Sequence, residues 1–333
     1  MRLPKFEIKR PRSMDEAVSL AAQYDQECRI LGGGTDLLVG LKKRLAKPRV
    51  LLSLKNIPEF KSIRQEGAKV RIGPMVSLTT LAGATELPSE FVALQEAADA
   101  AATPQIRNQA TIGGNVCLDT RCLYYNQSLQ WVASLPLCIK RGGTTCHVVN
   151  RADRCYASFC ADAVAALVAL GAQATLSGNG GGRVMDVEAL YSGKGESPHV
   201  LGNGELLSEV TLPVSAGKKG SAYIKFAYRG AIDFPLVGVA ACLTLSGSGK
   251  CTGARLAAVG VTSRPERLQE AERTLVDQEM SPALIADSCA KAGKGLTIVA
   301  QQRISTSYRR AMLETMAGKA ITKAWERAQS ASS

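Results

Sequence analysis

Hydrophobic and polar positions along the chain change period several times, and each change marks an expected element. Ser13-Met14-Asp15-Glu16 reads as a capping box, with Ser13 accepting from the third helical N–H and Glu16 reaching back, and it predicts a helix through about Tyr24. A short strand Arg29-Ile30-Leu31, a turn at Gly32-Gly33-Gly34, a helix opening at Thr35-Asp36-Leu37-Leu38-Val39 and a strand from Arg49 to Leu54 complete a β–loop–α–β unit. A second α/β segment runs from Val70 to about Val187. It holds a strand Val70-Arg71-Ile72-Gly73, helices after Ser77 and from Glu90 to Ala102, a glycine turn at 111–115, an apolar helix from Asp162 to Leu170 and a hairpin through 177–182.

Gly193 to Gly204 is a polar stretch of Gly, Ser, Pro and Asn, read as a boundary. Beyond it, 205–212, 222–228, 236–245 and 254–261 read as antiparallel strands, followed by helices over 265–276, 282–292 and 305–329. The expected class is α+β, in three blocks at 1–57, 58–192 and 205–330, with an insert at 116–160.

Composition narrows the class. A chain of 333 residues with 46% hydrophobic positions can bury two or three cores. No apolar run approaches the roughly 18–20 residues that span a bilayer, and Met1 to Glu7 lacks the apolar stretch of a secretion signal, so a cytoplasmic protein without membrane contact is expected. The net charge of +12 would suit an acidic partner or a nucleotide's phosphates. Nucleic acid is disfavoured, because the longest basic run is Lys42-Lys43-Arg44 and aromatics are only 5%. With two histidines, neither beside a G-x-S-x-G elbow, a serine triad is disfavoured as well.

Two glycine loops carry the first chemical signal. Main-chain N–H groups approach a pyrophosphate closely only where side chains are absent, and glycine also permits positive φ. Either Gly32-Gly33-Gly34-Thr35-Asp36 or Thr111-Ile112-Gly113-Gly114-Asn115 alone would read as a tight turn. Together, and matching neither G-x-G-x-x-G nor the G-x-x-x-x-G-K-[ST] phosphate loop, they point to a nucleotide site of another kind. Leu31 to Leu37, followed by Gln105-Ile106-Arg107-Asn108-Gln109-Ala110 and the second loop, resembles the FAD-binding subunits of the xanthine dehydrogenase and carbon monoxide dehydrogenase family.

That resemblance implies a two-part α/β FAD-binding domain followed by an antiparallel sheet and three helices. It implies that Arg29, Ile30, Leu31, Gly32, Gly33, Gly34, Thr35 and Asp36, with Thr111, Ile112, Gly113, Gly114 and Asn115, hold the FAD. Asp162 matches an aspartate that bonds the cofactor's sugar portion, and Lys225 a lysine near the flavin ring; as bare residues they read as a helix N-cap and an outward strand lysine. Ala101 and Leu123 are lesser flavin contacts on the same resemblance, with apolar packing as the plain alternative.

Six of the ten cysteines fall between Cys117 and Cys160, and Cys122, Cys138, Cys146 and Cys155 are spaced C-x15-C-x7-C-x8-C. Bunched cysteines in a reducing compartment read as metal ligands. Zinc sites bring ligands in C-x2-4-C pairs, which are missing here, whereas spread spacing suits an iron–sulfur cluster, though Cys117 and Cys160 could substitute on spacing alone. The insert resembles that of flavoprotein subunits of the 4-hydroxybenzoyl-CoA reductase type, which implies a 4Fe-4S cluster on Cys122, Cys138, Cys146 and Cys155. His147 reads as a hydrogen-bonding neighbour of Cys146.

The resemblance implies an electron-transfer flavoprotein. It would relay electrons from ferredoxin through 4Fe-4S and FAD toward a 2Fe-2S small subunit and a molybdopterin-binding large subunit, in a dimer of heterotrimers that reductively dehydroxylates 4-hydroxybenzoyl-CoA. Two rivals stand beside it: an FAD subunit of another molybdenum hydroxylase passing electrons outward, and a flavin-free, zinc-stabilised binding module.

Overall fold

The computed structural model describes residues 2–214, 217–300 and 304–331. Strands β1 (Glu7–Lys9), β2 (Cys28–Leu31) and β3 (Val50–Ser53) form a parallel sheet in the order β1-β3-β2. The central strand β3 is buried throughout, and the helix Met14–Tyr24 covers the sheet with Ala17, Val18 and Ala21. Ser13 Oγ accepts the Glu16 N–H at 3.2 Å as a cap should. Glu16 departs from the expected box, because its Oε2 takes the N–H of Arg12 at 2.7 Å. The helix expected from Thr35 begins at Leu37 and stops at Lys42.

β4 (Ile63–Glu66), β5 (Lys69–Ile72), β6 (Gln173–Gly178), β7 (Gly181–Asp186) and β8 (Leu206–Pro213) make a five-stranded antiparallel sheet in the order β4-β5-β8-β6-β7. This corrects one sequence reading: the strand over 205–212 does not open the C-terminal sheet. Val210 and Leu212 are fully buried, and β8 pairs on both edges, Val210 opposite Ile72 and Ala174, so only an inner position satisfies its backbone and side chains together. The polar stretch 193–204 therefore leads into a strand of the same sheet.

β9 (Lys218–Phe226), β10 (Val237–Leu245), β11 (Cys251–Val259) and β12 (Glu266–Arg267) form the second antiparallel sheet, ordered β12-β11-β10-β9. The expected helix from Pro265 starts only at Gln269, because Glu266 and Arg267 pair with β11. The helix Thr306–Ser330 lies across this sheet, and at Gly220 a Cβ would come within 2.1 Å of the Ala324 carbonyl, so only glycine allows that approach. Arg309 at its start is fully buried, donating to the carbonyls of Val299, Leu236 and Gly260.

The helix Asp162–Ala169 is buried at every residue and, after Asp162, apolar on every side. One core encloses it, running from Val70 and Ile72 of β5 to Tyr223, Ala240 and Val259 of the C-terminal sheet. That helix is the hinge pin between the two antiparallel sheets, and the candidate site forms at its N-terminal end.

Candidate cofactor site

The two glycine loops meet. Gly32 to Asp36 leaves β2, while Thr111 starts a short helix, Ile112–Val116, where the sequence suggested only a turn. Thr111 causes the difference: its Oγ1 accepts the Gly114 N–H at 3.1 Å and its carbonyl accepts from Asn115. A Cβ on Gly33 would lie 1.7 Å from the Gln109 carbonyl, and one on Gly32 would lie 2.9 Å from Thr111 Oγ1. The segments can approach this closely only because Gly32 and Gly33 carry no Cβ, which leaves peptide groups of the first loop bare beside Thr111, as a dinucleotide site requires. Gly113 is pinned from behind by the Pro74 carbonyl, which accepts its N–H at 2.9 Å.

Polar anchors extend from this cradle. Asn115 Oδ1 accepts the Ala163 N–H at 3.2 Å, tying the second loop to the helix Asp162–Ala169. Asp162 is that helix's first residue and not its N-cap, which is Ala161. Its Oδ1 accepts from Tyr223 Oη at 2.7 Å and lies 3.1 Å from Lys225 Nζ. Burial raises the Asp162 pKa, while Lys225 and the Tyr223 hydroxyl pull the other way. Burial also pushes the Tyr223 phenol far above its usual range, reinforced by the Asp162 charge. Lys225 is thus not an outward strand lysine: it also donates to the Ala100 carbonyl at 2.8 Å, next to buried Ala101. Arg29 and Ile30 are exposed on β2, Leu31, Thr35 and Asp36 are half-buried, and Leu123 stands on the insert with 46% of its surface exposed.

The insert folds with little regular structure beyond the helix Leu129–Ala133 and a single 3-10 turn, Ile139–Arg141. Cys122, Cys138, Cys146 and Cys155 nevertheless line one small cavity, together with Tyr124, Tyr125, Lys140 and His147. Among the described residues, no three His, Cys, Asp or Glu side chains are disposed to hold a metal ion, so the expected ligand set is gathered in one place without forming a coordination site. Burial raises the thiol pKa of Cys122 and pushes that of Cys155 up to about 12. His147 Nε2 faces the Pro136 carbonyl at 2.9 Å and its ring packs on Tyr124, as a hydrogen-bonding neighbour would.

Two ties join insert to cradle. Arg121, beside Cys122, forms an ion pair with Asp36 and stacks on the Phe234 ring at 4.8 Å. Lys43, just after the first loop's helix, donates to the Asn126 carbonyl at 2.7 Å, and Asn126 Oδ1 accepts the Cys122 N–H at 2.9 Å.

Residues 4–215 match the family model for the FAD binding domain in molybdopterin dehydrogenase, and residues 222–324 match that for the CO dehydrogenase flavoprotein C-terminal domain. The chain belongs to the FAD-binding subunits of the molybdenum hydroxylase family. It is 28% identical to the 6-hydroxypseudooxynicotine dehydrogenase complex subunit alpha of Paenarthrobacter nicotinovorans, over 99% of this chain and 97% of that one. It is 32% identical to the aldehyde oxidoreductase FAD-binding subunit of Escherichia coli, over 81% and 86% of the two chains. The reconstituted CO dehydrogenase from Oligotropha carboxidovorans superposes with a TM-score of 0.81 at 28% identity, covering 98% of this chain and all (100%) of that one.

As a molybdenum hydroxylase flavoprotein, the chain has the expected fold class, a two-part α/β FAD-binding domain followed by an antiparallel sheet with C-terminal helices. No helix among the described residues is long and apolar enough to cross a membrane. Sequence reasoning gives Tyr223 and Arg121 no role, because both act only through partners from other segments. It also passed over His199, whose ring packs on Tyr191 and whose pKa burial lowers to about 4, while Tyr191 Oη donates to the Val116 carbonyl behind the second loop.

Proposed function

We propose that this chain is the electron-relay flavoprotein of a cytoplasmic molybdenum hydroxylase complex, with FAD held between the two glycine loops. The observation that carries the reading is the close approach of those loops, Gly32 against Thr111 and Gly33 against the Gln109 carbonyl just before the second loop, in a fold that also holds the buried Asp162–Lys225 pair. Gly32 to Asp36 would hold the pyrophosphate through main-chain N–H groups, with Thr111 to Asn115, whose N–H groups from Ile112 onward are bonded within the protein, forming the wall behind it. Asp162 would hold the sugar portion, and Lys225, Ala101 and Leu123 the flavin end. Bound FAD supplies exchange between two-electron and one-electron carriers. The chain's own residues orient and shield: Asn115 fixes the second loop, and Lys225 keeps a cation at the flavin end where negative charge would be stabilised.

The relatives are named for dehydrogenases and an aldehyde oxidoreductase, so outward electron flow from a molybdenum-bearing large subunit, through a 2Fe-2S small subunit, is the reading they favour. The insert favours a second one. Four thiols line one cavity, and their spread spacing without C-x2-4-C pairs suits a 4Fe-4S centre better than zinc; such a centre would pass single electrons. On that reading the complex is of the 4-hydroxybenzoyl-CoA reductase type, a dimer of heterotrimers fed by ferredoxin, whose acidic surface the +12 charge would attract.

The complex, purified without air, should show flavin and iron–sulfur absorption, with one FAD and about four irons in this subunit. Colourless protein containing zinc would overturn both readings. Turnover of hydroxylated aryl-CoA thioesters with reduced ferredoxin, and not of aldehydes or purines, would select the reductase; the reverse pattern would select outward flow.

A further inference from the structure

We propose that Lys140 is the organising cation of the insert, a positioning residue that assembles three of the four thiol-bearing segments and makes the centre they would hold easier to reduce. The proposal rests on the iron–sulfur reading of that insert.

Lys140 lies two residues after Cys138 in the turn Ile139–Arg141, and its side chain is only 4% exposed. Its ammonium has three N–H donors and meets a matching set of acceptors: Asp119 Oδ1 at 2.6 Å, Thr120 Oγ1 at 2.5 Å and the Gly195 carbonyl at 2.8 Å. The acceptors lead to two thiols, Asp119 and Thr120 to Cys122 and Gly195 to Cys155, while Lys140 itself follows Cys138. Thr120 precedes Arg121, whose backbone pairs with Ser158, and then Cys122. Gly195 donates its N–H to the Cys155 carbonyl at 2.9 Å, while Glu196 Oε2 accepts the Cys155 N–H at 3.0 Å. Thr120 Oγ1 donates to the same Gly195 carbonyl at 2.6 Å, closing the ring of contacts. One side chain thereby links the approaches to Cys122, Cys138 and Cys155.

A buried ammonium costs desolvation, and here it is met by one carboxylate, Asp119, 45% exposed, and by the neutral oxygens of Thr120 and Gly195. Lys140 lines the cavity with the four cysteines, and its ammonium stands 4.8 Å over the ring of Tyr125, which lines the same cavity. A thiolate-ligated cluster gains negative charge on reduction, and a fixed cation at its wall stabilises the reduced form.

The test compares the holo-complex with Lys140→Met, which keeps the bulk, and Lys140→Arg, which keeps the charge. Iron and acid-labile sulfide, FAD content and the midpoint potential of the cluster by redox-titrated electron paramagnetic resonance are measured in each. In Lys140→Met, FAD stays at wild-type stoichiometry, iron is released to a chelator about tenfold faster or more, and the remaining cluster titrates at a more negative potential. In Lys140→Arg the potential stays near wild type even where iron retention falls. Unchanged iron and potential in Lys140→Met, with iron present in the wild type, overturn the proposal alone; a wild type free of iron overturns the metal reading and the proposal with it.

Discussion

Lys225 Nζ stands 3.1 Å from Asp162 Oδ1, a pair that joins the first turn of the core helix to strand β9. Both side chains are nearly enclosed, at 13% and 4% exposure, and Tyr223 Oη completes the carboxylate's set. Asp162→Ala strands the Lys225 cation and the Tyr223 hydroxyl, and should cost about 3–5 kcal/mol by denaturant unfolding. Lys225→Met should behave differently with pH. Asp162 has a folded pKa already raised by burial, and without Lys225 it rises further, so the carboxyl's contribution is present below its unfolded pKa and lost as pH rises through the folded one. The penalty of Lys225→Met should therefore shrink in mild acid; a penalty constant with pH would deny that the pair is ionised at neutrality.

Gly33→Ala places a methyl 1.7 Å from the Gln109 carbonyl, and the loops must part. The purified variant should lose most of its flavin, read as the ratio of flavin to protein absorbance. Gly180→Ala, where nothing lies within 4 Å, serves as the control and should keep full flavin content.

Arg121 and Asp36 link the cysteine insert to the first glycine loop. Because Asp36 is partly exposed, with 38% of its side chain accessible, the pair contributes about 1 kcal/mol, and Arg121→Gln should weaken FAD retention roughly fivefold. Coupling is reciprocal, so added FAD should also slow proteolysis of the insert in the wild type and do so less in the variant. Equal protection in both proteins would sever the insert from the flavin loop.

Glu96, on the helix Val92–Ala100, holds the C-terminal helix through Lys323 at 2.6 Å and Arg327 at 2.7 Å, and accepts the Tyr223 N–H at 2.9 Å. Burial works to raise its pKa, but the bonds from Arg327, Lys323 and Tyr223 prevail and hold it below the usual range. A depressed carboxylate contributes stability above its unfolded pKa and loses it as pH falls through the folded one. Glu96→Gln should cost about 1–3 kcal/mol at neutral pH, and its stability should depend less on pH in the acid range. An unchanged acid unfolding curve would exclude Glu96 as the titrating tie.

Much of this molecule is legible locally. Ser13 capping, the hairpin through 177–182, the apolar helix after Asp162 and the long C-terminal helix follow from patterns spanning a few residues, because caps, alternation and helical spacing act over one turn or one strand. The strand at 206–213 reads from sequence as part of the later sheet because its partners, Ile72 and Ala174, are distant in sequence and its own apolar pattern suits either sheet. The Thr111 helix start is not legible locally, because two glycines argue against a helix, while a side-chain cap overrides that propensity.

The amino-acid order alone determined that two glycine loops and a run of spaced cysteines exist, since these depend on residue type and interval. Only the tertiary structure decided that the loops touch, that Asp162 faces Tyr223 and Lys225 and not a helix N–H, and that Lys140 gathers the approaches to three thiols. The physical reason is burial: distant segments share one dry core, where each polar group must find a partner, and that partner is chosen by packing and not by position in the chain.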